Sequence, residues 1–336
     1  MTNERAMHAT QKGLPPGWSR AVSKSTGKPY YHNHKYKITQ WVPPPPPSAE
    51  PVASHYDQVA LVELQGSNDT AQRSKADNWQ VRMYNNWVIR GLATRLHASL
   101  CARFPDVARD GPRVLDLAGG KGGGIPKWES LSPPPAHYML IDISAASIAA
   151  ANRRVAKSFE RLRPTFAGIC ACVTEEGASF HPPEQSHVVT CHFAMNYMAQ
   201  SPETLGRVLA MAHQHVVPGG YMAIAFTNGE TVQRLLASSR HGVWSNRLCD
   251  IKSTAGGRAY QFTLRPSVQN CAEFVLTYEQ VETAAIKCGW VPTEFVADLT
   301  AVHGEWSHCT TRAPPLDEAS KEVCGVYGYC IFEKPM

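Results

Sequence analysis

From about residue 51 onward, short apolar runs of β type alternate with longer stretches in which apolar positions recur every three or four residues. The runs predict strands at Arg113–Ala118, at Tyr138–Asp142, at Thr165–Val173, His187–Ala194 and Tyr221–Thr227, and later at Val291–Asp298 and Val323–Phe332. The stretches predict helices through Ala76–Ala98, around Lys127-Trp128, and over Ser147–Phe159, Pro202–Val217 and Glu279–Cys288, with Pro218-Gly219-Gly220 ending the fourth of these. Repeated strand–helix alternation implies an α/β fold with a mostly parallel, doubly wound sheet and helices on both faces. Ahead of it the pattern is different. Three short segments around Trp18, around Tyr30-Tyr31 and around Thr39–Val42 are separated by a Ser-Thr-Gly turn and an Asn-His turn. They read as a small three-stranded antiparallel unit over residues 14–44. Residues 1–13 read as a polar, disordered tail, 45–51 as a stiff proline-rich linker, and 52–336 as the α/β domain.

Composition narrows this picture only a little. A chain of 336 residues with 43% hydrophobic and 18% charged side chains is ordinary for a folded globular protein. A formal charge of +5 permits an anionic partner such as RNA without requiring one. The 10 cysteines include no C-x-x-C pair. Cys170 and Cys172 are too close for a usual zinc knuckle, and His308-Cys309 lacks partners at ligand spacing, so the thiols are expected to be reduced and metal-free. No apolar leader and no run of about 18 apolar residues is present, so the chain reads as soluble and not secreted. No internal repeat and no compact basic import cluster is visible.

The chemistry concentrates where the first α/β strand breaks into Gly119-Gly120-Lys121-Gly122-Gly123-Gly124. Glycines at a strand-to-helix turn let a ligand approach the backbone. Asp142, closing the next strand, offers two acceptor oxygens for a ribose diol. Together these mark a nucleoside-cofactor site in a β-α-β unit. The dinucleotide spacing G-x-G-x-x-G is absent.

Residues 14–44 resemble a WW domain, through Leu14-Pro15-Pro16-Gly17-Trp18, Tyr30-Tyr31-His32-Asn33-His34 and a second tryptophan at Trp41. The resemblance implies that Tyr30 and Trp41, with His34 beside them, form a groove for a proline-rich peptide held as a polyproline helix. Ser23-Lys24-Ser25-Thr26 resembles the loop of WW domains that bind phospho-Ser-Pro, so the tail of RNA polymerase II is an implied partner.

Most of residues 52–334 resembles the mRNA cap guanine-N7 methyltransferase family. The resemblance is carried by Val52-Ala53-Ser54-His55-Tyr56-Asp57, by Arg73-Ser74 followed by Val81-Arg82-Met83-Tyr84-Asn85-Asn86-Trp87, and by Val114–Gly123 with Lys127-Trp128. It continues through His192–Tyr197, Pro218-Gly219-Gly220, Ala272-Glu273-Phe274 and the closing strand Tyr327…Phe332-Glu333-Lys334. It implies a Rossmann-like, seven-stranded S-adenosyl-L-methionine-dependent methyltransferase. Lys121, Gly119, Asp142 and Asn86 would serve the cofactor, with Asp116 supporting the loop. Phe193, Asn196, Tyr197, Glu273 and Tyr327 would hold the cap guanine, with Arg82, Lys127 and Arg90 as weaker triphosphate candidates. Implied further are the capped 5′ end of mRNA as substrate, a nuclear location and a monomer. Methyl transfer to guanine N7 removes no proton beforehand, so neither a catalytic acid or base nor a metal is expected.

The chain departs from that family's pattern. Gly124 stands where an acid follows the last Gly-Gly, Ile89 where a lysine follows the Asn-Asn-Trp tryptophan, Asn196 where a histidine precedes the tyrosine, and the acid expected after the third strand for the adenine is replaced near Cys172. Two other readings therefore remain. One is a silent methyltransferase-fold adaptor acting through its WW domain. The other is a methyltransferase for another cap-proximal position, though an adenosine-N6 enzyme would want an Asn/Asp-Pro-Pro-aromatic tetrapeptide that is absent here.

Overall fold

The computed structural model describes residues 13–46, 53–58, 76–175, 184–304 and 313–336. The tail at 1–12, most of the proline-rich linker, the Arg73-Ser74 pair and His308-Cys309 lie outside the described residues.

The N-terminal unit is a three-stranded antiparallel sheet of β1 (Trp18–Val22), β2 (Pro29–Asn33) and β3 (Ile38–Gln40), in that order. Trp18 pairs with Asn33, and Tyr31 with Gln40. Trp18 and Ile38 are buried, with Leu14, Tyr31 and Tyr36 packed against the same cluster. So small a sheet needs this aromatic buckle, because it has no room for a second layer.

The main body is one seven-stranded sheet in the order β13-β14-β8-β7-β4-β5-β6. Its strands are β4 (Arg113–Leu117), β5 (His137–Asp142), β6 (Phe166–Cys170), β7 (Ser186–His192), β8 (Val216–Thr227), β13 (Val291–Val296) and β14 (Tyr327–Glu333). β4 to β8 pair in parallel, whereas β14 runs antiparallel to both β8 and β13. Side chains alternate between the faces, as the strand period requires. Val114, Leu140, Val188 and Ala223 enter one core, while Leu115, Ile141, Val189 and Met222 enter the other.

Helices α1 (Trp79–Arg103) and α4 (Ala145–Ser158) cover the first face through Val81, Val88, Leu92, Ile148 and Val155. Helices α6 (Pro202–His215) and α8 (Tyr278–Lys287) cover the second through Leu205, Val208, Leu209, Val281 and Ala285. Between α1 and α4 lie the short α2 (Pro105–Asp110) and α3 (Ile125–Glu129), and α5 (Met195–Met198) precedes α6. Among the described helices none is long and apolar enough to cross a membrane.

Three features differ from the sequence expectations. A second sheet, four-stranded and antiparallel, lies between α7 (Gly229–Ser238) and α8, where no strand was expected. It is built from β9 (Val243–Ser245), β10 (Cys249–Ser253), β11 (Ala259–Leu264) and β12 (Val268–Phe274). Pro218-Gly219-Gly220 does not end a helix. It forms a bulge inside β8, where Gly219 at φ +77° donates its N–H to Lys334 O at 2.8 Å. Val323 and Cys324 belong to a helix, α9 (Glu318–Cys324), started by the Asp317 carboxylate accepting from Ser320 N–H, so the last strand begins later, at Tyr327.

Candidate functional site

The carboxyl ends of β4, β5 and β7 meet at the middle of the sheet. There the loop after β4 is fixed from below by Asp116. Its Oδ2 accepts from the Tyr138 hydroxyl at 2.7 Å and its Oδ1 from Thr190 at 2.9 Å. Burial pushes the Asp116 carboxyl up, and the two hydroxyls pull it back. The carboxylate lies directly under the glycines: a Cβ on Gly119 would stand 2.6 Å from Oδ2, and one on Gly124 2.9 Å from it. Gly120, at φ +55°, points its N–H at Asp142 Oδ2, 2.8 Å away, while Ser144 N–H donates to Oδ1 at 2.8 Å. Asp142 is thus aimed by two backbone donors, and burial pushes its carboxyl up to about 6. Lys121 stands half-buried between Gly120 and Gly122.

Two buried polar atoms nearby have no partner among the described residues, Asn85 Oδ1 on α1 and His192 Nδ1 at the end of β7. Burial, with Lys127 nearby, lowers the His192 imidazole to about 3, so at neutral pH it is uncharged. An aimed carboxylate, a loop with bare backbone at Gly120 and Gly123, and orphaned polar atoms beside it together fit a polar, nucleoside-type ligand. Among the described residues no cluster of His, Cys, Asp and Glu could hold a metal.

Lys127 is not presented to solvent as a phosphate ligand would be. It is 6% exposed, and its ammonium donates to Asn86 Oδ1 at 2.7 Å and Gly123 O at 2.6 Å. Burial lowers it to about 8. It ties α1, through Asn86, to the glycine loop. Arg90 donates to Ser130 Oγ at 3.0 Å.

The other half of the site is aromatic. Phe193 follows β7 in the left-handed region at φ +60°, a strained conformation for a bulky side chain. Its ring meets the edge of Tyr327, with centroids 5.1 Å apart, and Tyr327 in turn packs on Phe262. Glu273, on β12 and 4% exposed, accepts from three hydroxyls: Tyr197 at 2.9 Å, Tyr260 at 2.6 Å and Thr227 at 3.0 Å. Desolvation raises its carboxyl and the three donors oppose that rise. A carboxylate offers about four acceptor sites, so one on Oε1, beside Tyr197, is left for a ligand donor.

Asn196 is engaged differently from the expectation. Its Nδ2 donates to Thr227 O at 2.9 Å and its Oδ1 accepts Thr227 N–H at 2.9 Å, with Phe274 O a further acceptor at 3.2 Å. The amide clips α5 to β8 and β12. It holds Glu273's surroundings rather than facing the open space.

The departures have local explanations. A side chain at Gly124 would stand 2.7 Å from the Tyr138 hydroxyl, so the Tyr138–Asp116 pair leaves no room for an acid. Ile89 is buried in the core, where an ammonium would be desolvated. Cys172 is buried, its thiol 3.0 Å from Thr174 Oγ1.

Sequence reasoning missed Tyr260, Thr227, Tyr56 and the inserted sheet that carries Glu273. One of its four strands left a partial trace in the alternation of Tyr260, Phe262 and Leu264 with Ala259, Gln261 and Thr263, bracketed by Gly256-Gly257 and Arg265-Pro266.

On the N-terminal sheet, Tyr30 and Trp41 stand with centroids 6.0 Å apart at 71°, and Trp41 is 56% exposed. His34 is exposed, with Nε2 2.9 Å from Ser19 Oγ and its ring edge-on to His32. The buried tryptophan is Trp18, so Trp41 is not needed for the small core.

Residues 47–290 match the mRNA (guanine-N(7))-methyltransferase domain, and residues 14–44 match the WW domain. Curated relatives include the mRNA cap guanine-N(7) methyltransferases of Caenorhabditis elegans and Schizosaccharomyces pombe. The first is 26% identical over 251 residues, covering 70% of this chain and 63% of the relative. The second is 26% identical over 290 residues, covering 76% and 75%. The chain thus spans less than two thirds of the nematode relative. Among solved structures, the CcbJ methyltransferase from Streptomyces caelestis superposes with a TM-score of 0.50 at 12% identity, covering 84% of this chain and 98% of that one, which supports the methyltransferase fold.

Proposed function

We propose that the chain, which belongs to the mRNA (guanine-N(7))-methyltransferase domain family, methylates N7 of the 5′ cap guanosine of mRNA. The observation that carries this reading is that the aimed Asp142 with its glycine loop and the aromatic pocket around Glu273 are joined by one short segment, Tyr56 packing on Tyr197 and Asp57 bonding the turn after Asp142. S-adenosyl-L-methionine supplies the methyl group. Asp142 accepts the ribose hydroxyls, the bare backbone of the loop and Lys121 face the amino-acid end, and Asn86 stands at the entrance.

Glu273 offers its remaining acceptor site to the guanine N1–H and N2–H edge, with the Tyr197 hydroxyl able to turn aside for the second donor. Phe193, Tyr197 and Tyr327 form flat walls for a base made electron-poor by its 5′-5′ linkage. N7 carries a free lone pair, so no side chain has to remove a proton. What remains for the protein is to hold the base, align N7 with the methyl carbon and sulfur, and exclude water. Such positioning is worth about 7–11 kcal/mol in favourable cases, and fixed dipoles aimed at the changing charge add to it. The groove between Tyr30 and Trp41 binds a proline-rich partner, such as the tail of RNA polymerase II, and concentrates the enzyme at nascent transcripts.

The test is transfer of labelled methyl from S-adenosyl-L-methionine to GpppG-capped RNA, with nuclease digestion to locate the label. Label on N7 of the terminal guanine is expected, with activity reduced at least about 100-fold in Glu273→Gln if two hydrogen bonds to the charged group are weakened. Cofactor binding without transfer to the cap would overturn the reading, as would label at another cap-proximal atom.

A further inference from the structure

The WW unit sits on the methyltransferase body by a face other than its ligand groove. Gln40, the last residue of β3, is buried, and its side chain reads both backbone groups of Cys170. Oε1 accepts Cys170 N–H at 2.9 Å, and Nε2 donates to Cys170 O at 2.8 Å. The same Nε2 lies 2.8 Å from Val42 O. Cys170 ends β6, the edge strand of the large sheet. Its outward N–H and C=O are the groups that a further strand would otherwise capture. On the inner side Cys170 pairs in register with Asp142, and Ala171 N–H donates to Asp142 O at 3.0 Å. The glutamine amide therefore grips the direct ladder partner of the carboxylate assigned to the ribose.

A second connection runs beside the first. A cleft of about 300 Å³ lies between the two units, bounded by Trp18, Lys35 and Tyr36 on one side and Ile143 and Ala145 on the other. Its floor includes Asp57, from the short helix at residues 53–58. Asp57 Oδ1 accepts from Ser144 Oγ at 2.6 Å and from Ala146 N–H at 3.0 Å, fixing the turn that follows Asp142. The adjacent Tyr56 packs edge-on against Tyr197, with centroids 5.8 Å apart, and His55 Nε2 lies 3.4 Å from Cys271 Sγ. One short helix thus touches both halves of the site, and the WW unit closes the space behind it.

We propose that the WW unit has a second working face, centred on Gln40, that is a built-in wall of the cofactor site, and that Gln40 is a positioning residue for Asp142. This rests on the assignment of Asp142 to the cofactor ribose. The WW unit is then more than a recruiting tether. Its seating on β6 sets the affinity for the cofactor, while the Tyr30–Trp41 groove faces away and stays available to a peptide.

The experiment compares the full chain with Gln40→Leu and Gln40→Glu. It reads S-adenosylhomocysteine affinity by calorimetry, and kcat at saturating S-adenosyl-L-methionine. The indole resonance of Trp18 at its unmodified position identifies chains whose WW unit remains folded. The expected result in a folded variant is a Kd raised about tenfold, matching loss of one to two net hydrogen bonds, with kcat within about twofold and faster hydrogen exchange across residues 166–172. Leucine removes both bonds without adding charge, whereas glutamate keeps the shape and the acceptor for Cys170 N–H but sets an anion against Cys170 O and Val42 O, so the two variants break the same contact by different means. A folded variant with unchanged Kd and unchanged exchange overturns the proposal. An unmodified chain that fails to bind S-adenosylhomocysteine overturns instead the cofactor assignment on which it rests.

Discussion

Replacing Gly124 by alanine is expected to cost the protein about 2–5 kcal/mol, although alanine is the better helix former. The added Cβ would stand 2.7 Å from the Tyr138 hydroxyl and 2.9 Å from Asp116 Oδ2. Neither atom can yield cheaply, because Tyr138 is fully buried and Asp116 is held by two hydroxyls. Overpacking a filled site costs about 1–3 kcal/mol, and losing a buried hydrogen bond to a charged group about 1.5–3 kcal/mol. The backbone gain from removing a glycine offsets about 0.5–1 kcal/mol of this. Aspartate at the same position would add a second carboxylate beside Asp116 and is expected to be worse. The check is a double-mutant cycle with Tyr138→Phe, read by urea denaturation. Removing the hydroxyl makes room for the methyl, so the pair should cost at least about 1 kcal/mol less than the two single changes combined. A Gly124→Ala penalty below about 0.5 kcal/mol, or a cycle additive within about 0.5 kcal/mol, would refute the steric account of why no acid stands here.

Cofactor affinity should depend on pH through Asp142. Its folded pKa is raised from 3.8 to about 6, so its contribution to the stability of the empty protein is full below about 4 and is lost as pH rises through about 6. A ribose diol donates to the ionised form, so S-adenosylhomocysteine affinity should rise between pH 5 and 7, by up to about tenfold per unit below 6; a flat calorimetric profile would refute the assignment. The two WW tryptophans should separate cleanly. Trp18→Ala, emptying a buried position, should cost about 3–5 kcal/mol and unfold the small sheet, whereas Trp41→Ala should shift its melting by less than about 0.5 kcal/mol while abolishing proline-peptide binding; nuclear magnetic resonance of the unit during heating distinguishes them.

Most of the large sheet was legible because its strands are buried on both faces and read as unbroken apolar runs, as Val114-Leu115 and Tyr138–Ile141 do. The glycine loop was legible for the opposite reason, since bare backbone has few other uses in such density. The inserted sheet was not legible. Its strands are short, half-buried and rich in polar residues, so each resembles loop until its partners are known. Pro218-Gly219-Gly220 misled because a bulge in a strand and the end of a helix call for the same residues. At the site, the acid and aromatic residues were visible as types in order, but the partners of Glu273 and the clip made by Asn196 depend on chain segments tens of residues apart. Tyr260 is held against Glu273 by the register of β11 on β12, which no local pattern records.

The strand order carries a consequence for how the chain is made. β14, the last of the described strands in chain order, inserts between β8 and β13, both of which precede it. Until it emerges from the ribosome, both neighbours present open, apolar edges, and the wall that Tyr327 supplies is missing. A nascent or clipped chain ending before residue 327 would therefore lack that wall and be sticky, a natural client for holdase chaperones and proteases. Docking of β14 and assembly of the aromatic cluster around Tyr327 are one event.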